Sequence, residues 1–286
     1  MAEIFDFRLA EQLARASDFA YHRDIRKQPE LQDIQHDEPI DRDTSHLSVL
    51  EFSDRIIVAF RGTEPNIPDW LQNLKTVLVD CKVPGTDVAI AGRVHEGFYG
   101  ELAKVWEPLS KEIARINRES EIVNKPQKNL YITGHSQGAG IAAIATAVMV
   151  KAEISVTATY TFAAPRPGDA TFADGLEQQT IHRVEIGDDI VPHVPPKIPD
   201  EIKNALPILL AGAPRELKRL FAIANPDYVA VGKLAYGPVG ELVLPELTSS
   251  QEAHQFVVRL MRLFNARKHL VEDHNVANYV ESVNKF

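Results

Sequence analysis

Cysteine is nearly absent from this chain: Cys81 is the one example in 286 residues. A single thiol excludes an intrachain disulfide and any metal site built from several cysteines, and it suits a reducing compartment. Basic residues are outnumbered, with 31 Lys and Arg against 40 Asp and Glu for a net charge of −9. A balance of that sign argues against a nucleic-acid partner. Long apolar runs are missing too. The longest apolar segment, residues 141–150, falls short of the roughly 18 residues that span a bilayer, so it reads as a core helix and no integral membrane segment is expected. The opening Met1-Ala2-Glu3-Ile4-Phe5-Asp6-Phe7 carries acids where a secretory signal has a basic region before an apolar run, which sets the expectation of a cytoplasmic protein. Glycine (15) and proline (18) are near average and aperiodic, which excludes collagen-like and low-complexity readings.

What remains is ordinary globular material, 44% hydrophobic and 25% charged, long enough to bury a core without covalent staples. Residues 7–21 carry apolar positions at helical spacing, and residues 28–45 read as a polar loop or irregular excursion. Two strand-like runs, residues 47–52 and 56–60, flank Ser53-Asp54 as a hairpin. A long helix is predicted over 97–116, a short strand over 129–133 and an Ala-rich helix to about residue 150. Further β-rich runs fall at 155–162 and 180–186, and residues 228–236 with 240–244 suggest a hairpin around Gly237-Pro238. Strands alternating with helices predict an α/β fold, a mostly parallel central sheet with helices on both faces, in one domain over 1–286.

The most informative segment is Gly134-His135-Ser136-Gln137-Gly138, a G-x-S-x-G placed after a predicted strand and before a predicted helix. A serine on so tight a turn holds a strained backbone, and flanking glycines let neighbouring chain approach without a Cβ clash. The helix N-terminus then aims backbone N–H groups at the reacting oxygen. A serine hydroxyl is a weak nucleophile until a base takes its proton. In hydrolases built on this elbow a carboxylate and then a histidine follow in the chain. His182, His193, His254, His269 and His274 all lie downstream of Ser136, and composition does not choose among them.

Four ordered motifs resemble the class 3 (fungal-type) lipase family of α/β-hydrolases. Val58-Ala59-Phe60-Arg61-Gly62-Thr63 is similar to its oxyanion strand, and Val94-His95-Glu96-Gly97-Phe98 to its V-H-x-G-F element. Thr161-Phe162-Ala163-Ala164-Pro165-Arg166-Pro167-Gly168 resembles T-F-G-A-P-R-V-G with Ala163 in place of a glycine. Gly187-Asp188-Asp189-Ile190-Val191-Pro192-His193-Val194-Pro195-Pro196 resembles the acid-bearing loop. The resemblance implies a catalytic triad of Ser136, Asp189 and His274, the last within Asp273-His274-Asn275-Val276-Ala277-Asn278-Tyr279, which is similar to the family's D-H-x(4)-Y element. It implies an oxyanion hole from Thr63 and Gln137, with no metal and no cofactor. His95 and His135 read as structural supports.

By the same resemblance residues 64–79 stand where the family carries a mobile lid, with a fixed amphipathic helix packed on the core as the alternative. Residues 197–226 depart from the family pattern as an insertion, a packed cap or a membrane-surface patch, carrying Ile202, Leu206, Ile208-Leu209-Leu210, Leu217 and Leu220-Phe221. Either suits transient contact with a lipid interface. Fungal members are secreted and disulfide-bonded, so the likeness carries the chemistry further than the location. The expected activity is serine carboxylic-ester hydrolysis of acylglycerols or related lipid esters, a triacylglycerol lipase or carboxylesterase acting on a lipid or small ester. A phospholipase A1-type activity is the alternative within the same chemistry, and a non-catalytic hydrolase-fold binding module is the alternative outside it. Oligomeric state stays open.

Overall fold

In the computed structural model, residues 5–63, 76–196, 227–240 and 273–284 are described, with residues 211 and 218 in addition. Helix α1 (Phe7–His22) opens the described chain, its first turn capped by Asp6, whose carboxylate accepts from Arg8 N–H and Leu9 N–H at 2.9 and 3.1 Å. Such a cap contributes about 1 kcal/mol. Strands β1 (His36–Arg42), β2 (Ser45–Glu51) and β3 (Arg55–Phe60) follow as an antiparallel meander. The β2–β3 hairpin turns at Ser53-Asp54 as its sequence predicts. Strand β1 corrects the loop expected over 28–45. It is an edge strand in which only Ile40 is buried, so no apolar alternation announces it. Backbone pairing with β2 forms it, with Asp41 bound by Arg23 and His46 at 2.8 Å, and Pro39 is tolerated there because an edge strand needs partners on one side only.

Strands β4 (Leu78–Lys82) and β5 (Ala89–His95) begin a second, smaller sheet before helix α2 (Glu96–Ile122). Phe98, Leu102, Val105, Trp106, Leu109, Ile113 and Ile116 form the buried stripe of α2 at helical spacing. The helix runs past the predicted end at 116, because its last turns are held by polar bonds. Arg115 pairs with Glu112 and Glu119, and Ser120 Oγ donates to Ile116 O at 3.2 Å. Strand β6 (Asn129–His135), helix α3 (Gln137–Lys151) and strand β7 (Ala158–Phe162) then make a βαβ unit. Helix α3 is buried on nearly every side, as its lack of a polar face requires. Strand β8 (Gly168–Asp169), the short helix α4 (Ala170–Asp174) and strand β9 (Ile181–Ile186) complete this part.

The main sheet has the order β1-β2-β3-β6-β7-β9-β11, with β11 spanning Lys233–Gly237 and every pairing from β3 to β11 parallel. Strand β10 (Tyr228–Val229) joins the smaller sheet, ordered β10-β8-β5-β4. The run 228–236 is therefore not one arm of a hairpin. Its two halves pair in different sheets, broken at Gly232, which adopts φ +93°, while residues 241–244 lie outside the described residues.

Side-chain alternation explains why the main sheet is covered on both faces. Ile56, Val58 and Phe60 of β3 join a core built with α2 and α3. Ile57 and Ala59 join a second core with α1 and α5 (Val276–Val283). Ser136 and Asp189 follow the carboxyl ends of β6 and β9, the edge where open α/β sheets bind ligands. Of the segment 64–79 expected as a lid, residues 64–75 lie outside the described residues, and Leu78 and Val79 begin β4. The insertion 197–226 falls outside them apart from Ala211 and Lys218.

Candidate active site

Ser136 occupies the turn between β6 and α3 with φ 59° and ψ −131°. An alanine or serine in that region carries about 1–3 kcal/mol of backbone strain, which the surrounding fold must hold. Its N–H donates to Phe162 O at 2.9 Å, and its carbonyl accepts from Ala139 N–H at 2.9 Å. A serine at a helix N-cap ordinarily spends its hydroxyl on the helix; Ser136 makes no such side-chain bond. The glycines around it are required by contact. A Cβ on Gly134 would stand 2.8 Å from Ala139 N, and one on Gly138 2.8 Å from the carbonyl carbon of Arg61. The second approach presses the start of α3 against the end of β3, bringing residue 137 beside residue 63.

Asp189 follows β9 and is fully buried. Its Oδ2 lies 2.8 Å from His274 Nδ1 and accepts from Tyr279 Oη at 2.6 Å, while Oδ1 accepts from Val191 N–H at 2.9 Å. Burial alone would push this carboxyl up. The charge of His274 and the hydrogen bonds from His274, Tyr279 and Val191 outweigh it, and the group is held below the usual carboxylate range. His274 Nε2 is buried and has no hydrogen-bond partner among the described residues. An imidazole bound to carboxylate through Nδ1, with Nε2 unspent, is oriented to take a proton at Nε2.

The loop of His274 is fixed on both sides. Asp273 Oδ2 accepts from Asp188 N–H at 2.8 Å, tying the base loop to the acid loop. Asn275 Oδ1 accepts from Ala277 N–H at 3.0 Å and caps α5. The sequence reading assigned no role to Tyr279 or Asp273. The spacing of Val276, Tyr279 and Val283, all buried on one face of α5, was the available sign that Tyr279 points inward.

Of the other downstream histidines, His182 packs in the core 4.7 Å from the Tyr160 ring, and His193 Nε2 sits 3.6 Å from Glu185 Oε2. His254 and His269 lie outside the described residues. Upstream, His95 caps α2, its Nδ1 accepting from Gly97 and Phe98 N–H at 3.1 and 3.3 Å. His135 packs 4.6 Å from the His274 ring.

The Thr63 hydroxyl donates to Gln137 Oε1, which brings these two residues together. A cleft of about 490 Å³ opens beside them, walled by Ser45, His46 and Glu101 and floored by Phe60, Val105 and Ile141. Among the described residues no cluster of His, Cys, Asp and Glu is arranged to hold a metal ion, and no helix is long and apolar enough to cross a membrane.

Residues 57–198 match the family model described as Lipase (class 3). The chain is 32% identical over 143 residues to secreted mono- and diacylglycerol lipase 1 of Fusarium solani, covering 49% of this chain and 39% of that protein. It is 28% identical over 154 residues to the chloroplastic phospholipase A(1) DAD1 of Arabidopsis thaliana, covering 49% and 33%. The chain thus spans well under half the length of these two relatives. Among solved structures, the Rhizomucor miehei lipase propeptide complex superposes with a TM-score of 0.60 at 20% identity, covering 96% of this chain and 81% of that one. A triacylglycerol lipase from Penicillium expansum gives 0.62 at 17% identity, covering 87% and 88%. Likeness at that identity establishes a shared fold.

Proposed function

The chain belongs to the class 3 lipase family through residues 57–198, and from that premise we propose that it is a serine carboxylic-ester hydrolase acting on acylglycerols or related lipid esters. The observation that carries the proposal is the buried Asp189–His274 pair, 2.8 Å apart, with Nε2 unspent; its imidazole packs 4.6 Å from the ring of His135, the residue before a serine whose hydroxyl the helix does not use. Ser136 Oγ attacks the ester carbonyl carbon while His274 Nε2 takes its proton. Asp189 keeps the imidazole in the Nδ1–H tautomer and stabilises the imidazolium. The negative charge moves to the former carbonyl oxygen, where the N–H groups of Gln137 and Thr63 meet it. One such donor is worth about 3–4 kcal/mol in the transition state. His274 then gives its proton to the leaving alcohol as the C–O bond breaks. Water attacks the acyl-enzyme with the same base, releasing the fatty acid and restoring Ser136.

The name of the Fusarium relative favours acylglycerols with one or two acyl chains. The Arabidopsis relative's name keeps a phospholipase A1-type activity as the second reading. Hydrolysis of p-nitrophenyl esters from C2 to C16, then of diacylglycerol and phosphatidylcholine of matched chain length, separates these. The proposal expects turnover of the esters, faster release from diacylglycerol than from phosphatidylcholine, and a loss on the order of a million-fold in Ser136→Ala. Faster release from phosphatidylcholine selects the phospholipase. Equal rates for wild type and Ser136→Ala overturn the serine mechanism.

A further inference from the structure

The residue before the nucleophile has no part in the mechanism above, yet it is among the most constrained side chains of the site. His135 ends β6 and is 4% exposed. Its Nε2 lies 2.8 Å from the carbonyl oxygen of His274, and its Nδ1 lies 3.1 Å from Tyr21 Oη. A carbonyl only accepts, so Nε2 carries the hydrogen. Burial first, and then the charge of His274, push the pKa of His135 down to about 3. The ring is therefore neutral, its Nδ1 is a lone pair, and the Tyr21 hydroxyl donates to it. The phenol oxygen in turn lies against the backbone of Gly62, in the space a Cβ there would take, and burial raises the phenol's pKa, so Tyr21 stays protonated.

The result is a directed chain from Tyr21 O–H to His135 Nδ1 and from His135 Nε2–H to the His274 carbonyl, with the Tyr21 oxygen packed against Gly62. Tyr21 donates once, and His135 accepts once and donates once. One end is the residue immediately before Thr63; the other is the backbone of the base. Helix α1 supplies the bridge, since Tyr21 sits in its last turn. A satisfied, buried relay of this kind holds its ends more rigidly than separate contacts would.

We propose that Tyr21 and His135 are positioning residues that register the oxyanion strand against the loop of the catalytic base, so that proton transfer and oxyanion donation are aligned on the same substrate carbonyl. Neither residue touches substrate or exchanges a proton during turnover. The inference rests on the Ser136–Asp189–His274 reading. It adds that the two halves of the site are set by one line of side chains, packed against Gly62 at one end and hydrogen-bonded to His274 at the other, rather than by the sheet alone. Misregistry of about 1 Å between catalytic groups lowers rates by around a hundredfold, and loss of one buried hydrogen bond corresponds to about tenfold.

The test uses the full chain with p-nitrophenyl butyrate, counting competent sites by stoichiometric titration with a phosphonate ester. Tyr21→Phe should lower kcat per titrated site about tenfold, with KM within about twofold. His135→Leu should lower kcat about a hundredfold, whereas His135→Gln, which keeps an amide N–H for the His274 carbonyl, should recover to within about fivefold of wild type. A merely structural role lowers the number of titratable sites and leaves kcat per site unchanged. That outcome, or wild-type kcat in both Tyr21→Phe and His135→Leu, overturns the inference. Ser136→Ala in the same assay separates the two claims. If it retains activity the serine mechanism fails; if it is inactive while Tyr21→Phe and His135→Leu turn over normally, only the positioning claim fails.

Discussion

The proposed nucleophile and the proposed base sit in regions that are built by different means. Ser136 is shaped locally. Its φ of 59°, its two glycine neighbours and its place at the start of α3 lie within five consecutive residues. His274 is held from far along the chain, by Asp189 Oδ2, by Asp188 N–H through Asp273, and by His135 Nε2–H. The family match covers residues 57–198 and so contains Ser136 and Asp189 but not His274. A nucleophile elbow is thus a property of a short peptide in a βαβ unit. The setting of His274 is a property of tertiary structure, held by bonds that no local motif encodes.

That contrast can be broken from either side. The largest effect is expected at the elbow. Gly138→Ala places a Cβ against the ends of Phe60 and Arg61 and must displace the oxyanion strand. Steady-state kinetics should show kcat lower by about a hundredfold or more, with KM changed far less. On the other side, Tyr279→Phe removes one of three hydrogen bonds to the buried Asp189. A bond to a buried charge is worth about 1.5–3 kcal/mol. Urea unfolding should show a loss in that range, together with a kcat about tenfold lower. Equal kinetic losses for the two variants would erase the distinction between a local and a distributed half.

The smallest effect is a slope. His135 has a folded pKa pushed down to about 3 from 6.5, so the unfolded chain binds a proton that the folded chain refuses. Its contribution to stability is intact above about pH 6.5. It falls by about 1 kcal/mol per pH unit as the solution is acidified toward pH 3. The lowered carboxyl of Asp189 has the same sign and acts below the ordinary carboxylate pKa. Urea titrations between pH 7 and 4 should show the His135 slope, and His135→Gln should flatten it. An unchanged slope in that variant would assign it to other groups.

The difference between the two regions also explains what could be read in advance. The hairpin β2–β3, the βαβ unit and the elbow were legible because apolar alternation and glycine placement are short-range signals. Strand β1 was not, since an edge strand with one buried residue has no alternation to read. Residues 228–236 divide between two sheets, and sequence alone does not say which edge a short strand joins. Asp189 and His274 were reached by resemblance rather than by spacing, because five histidines follow Ser136. The bonds from Tyr279, Asp273 and Tyr21 escaped detection altogether. Their partners lie 85 to 114 positions away along the chain, beyond any periodic pattern.

The central claim is that Ser136 is the nucleophile and His274 its base. Covalent labelling tests it most directly: incubation with a p-nitrophenyl alkylphosphonate, followed by intact-mass and peptide mass spectrometry. The account predicts one adduct per chain, on Ser136, formed with release of p-nitrophenolate. Its formation should slow by several orders of magnitude in His274→Ala. An adduct on another residue, or undiminished labelling in His274→Ala, would contradict it.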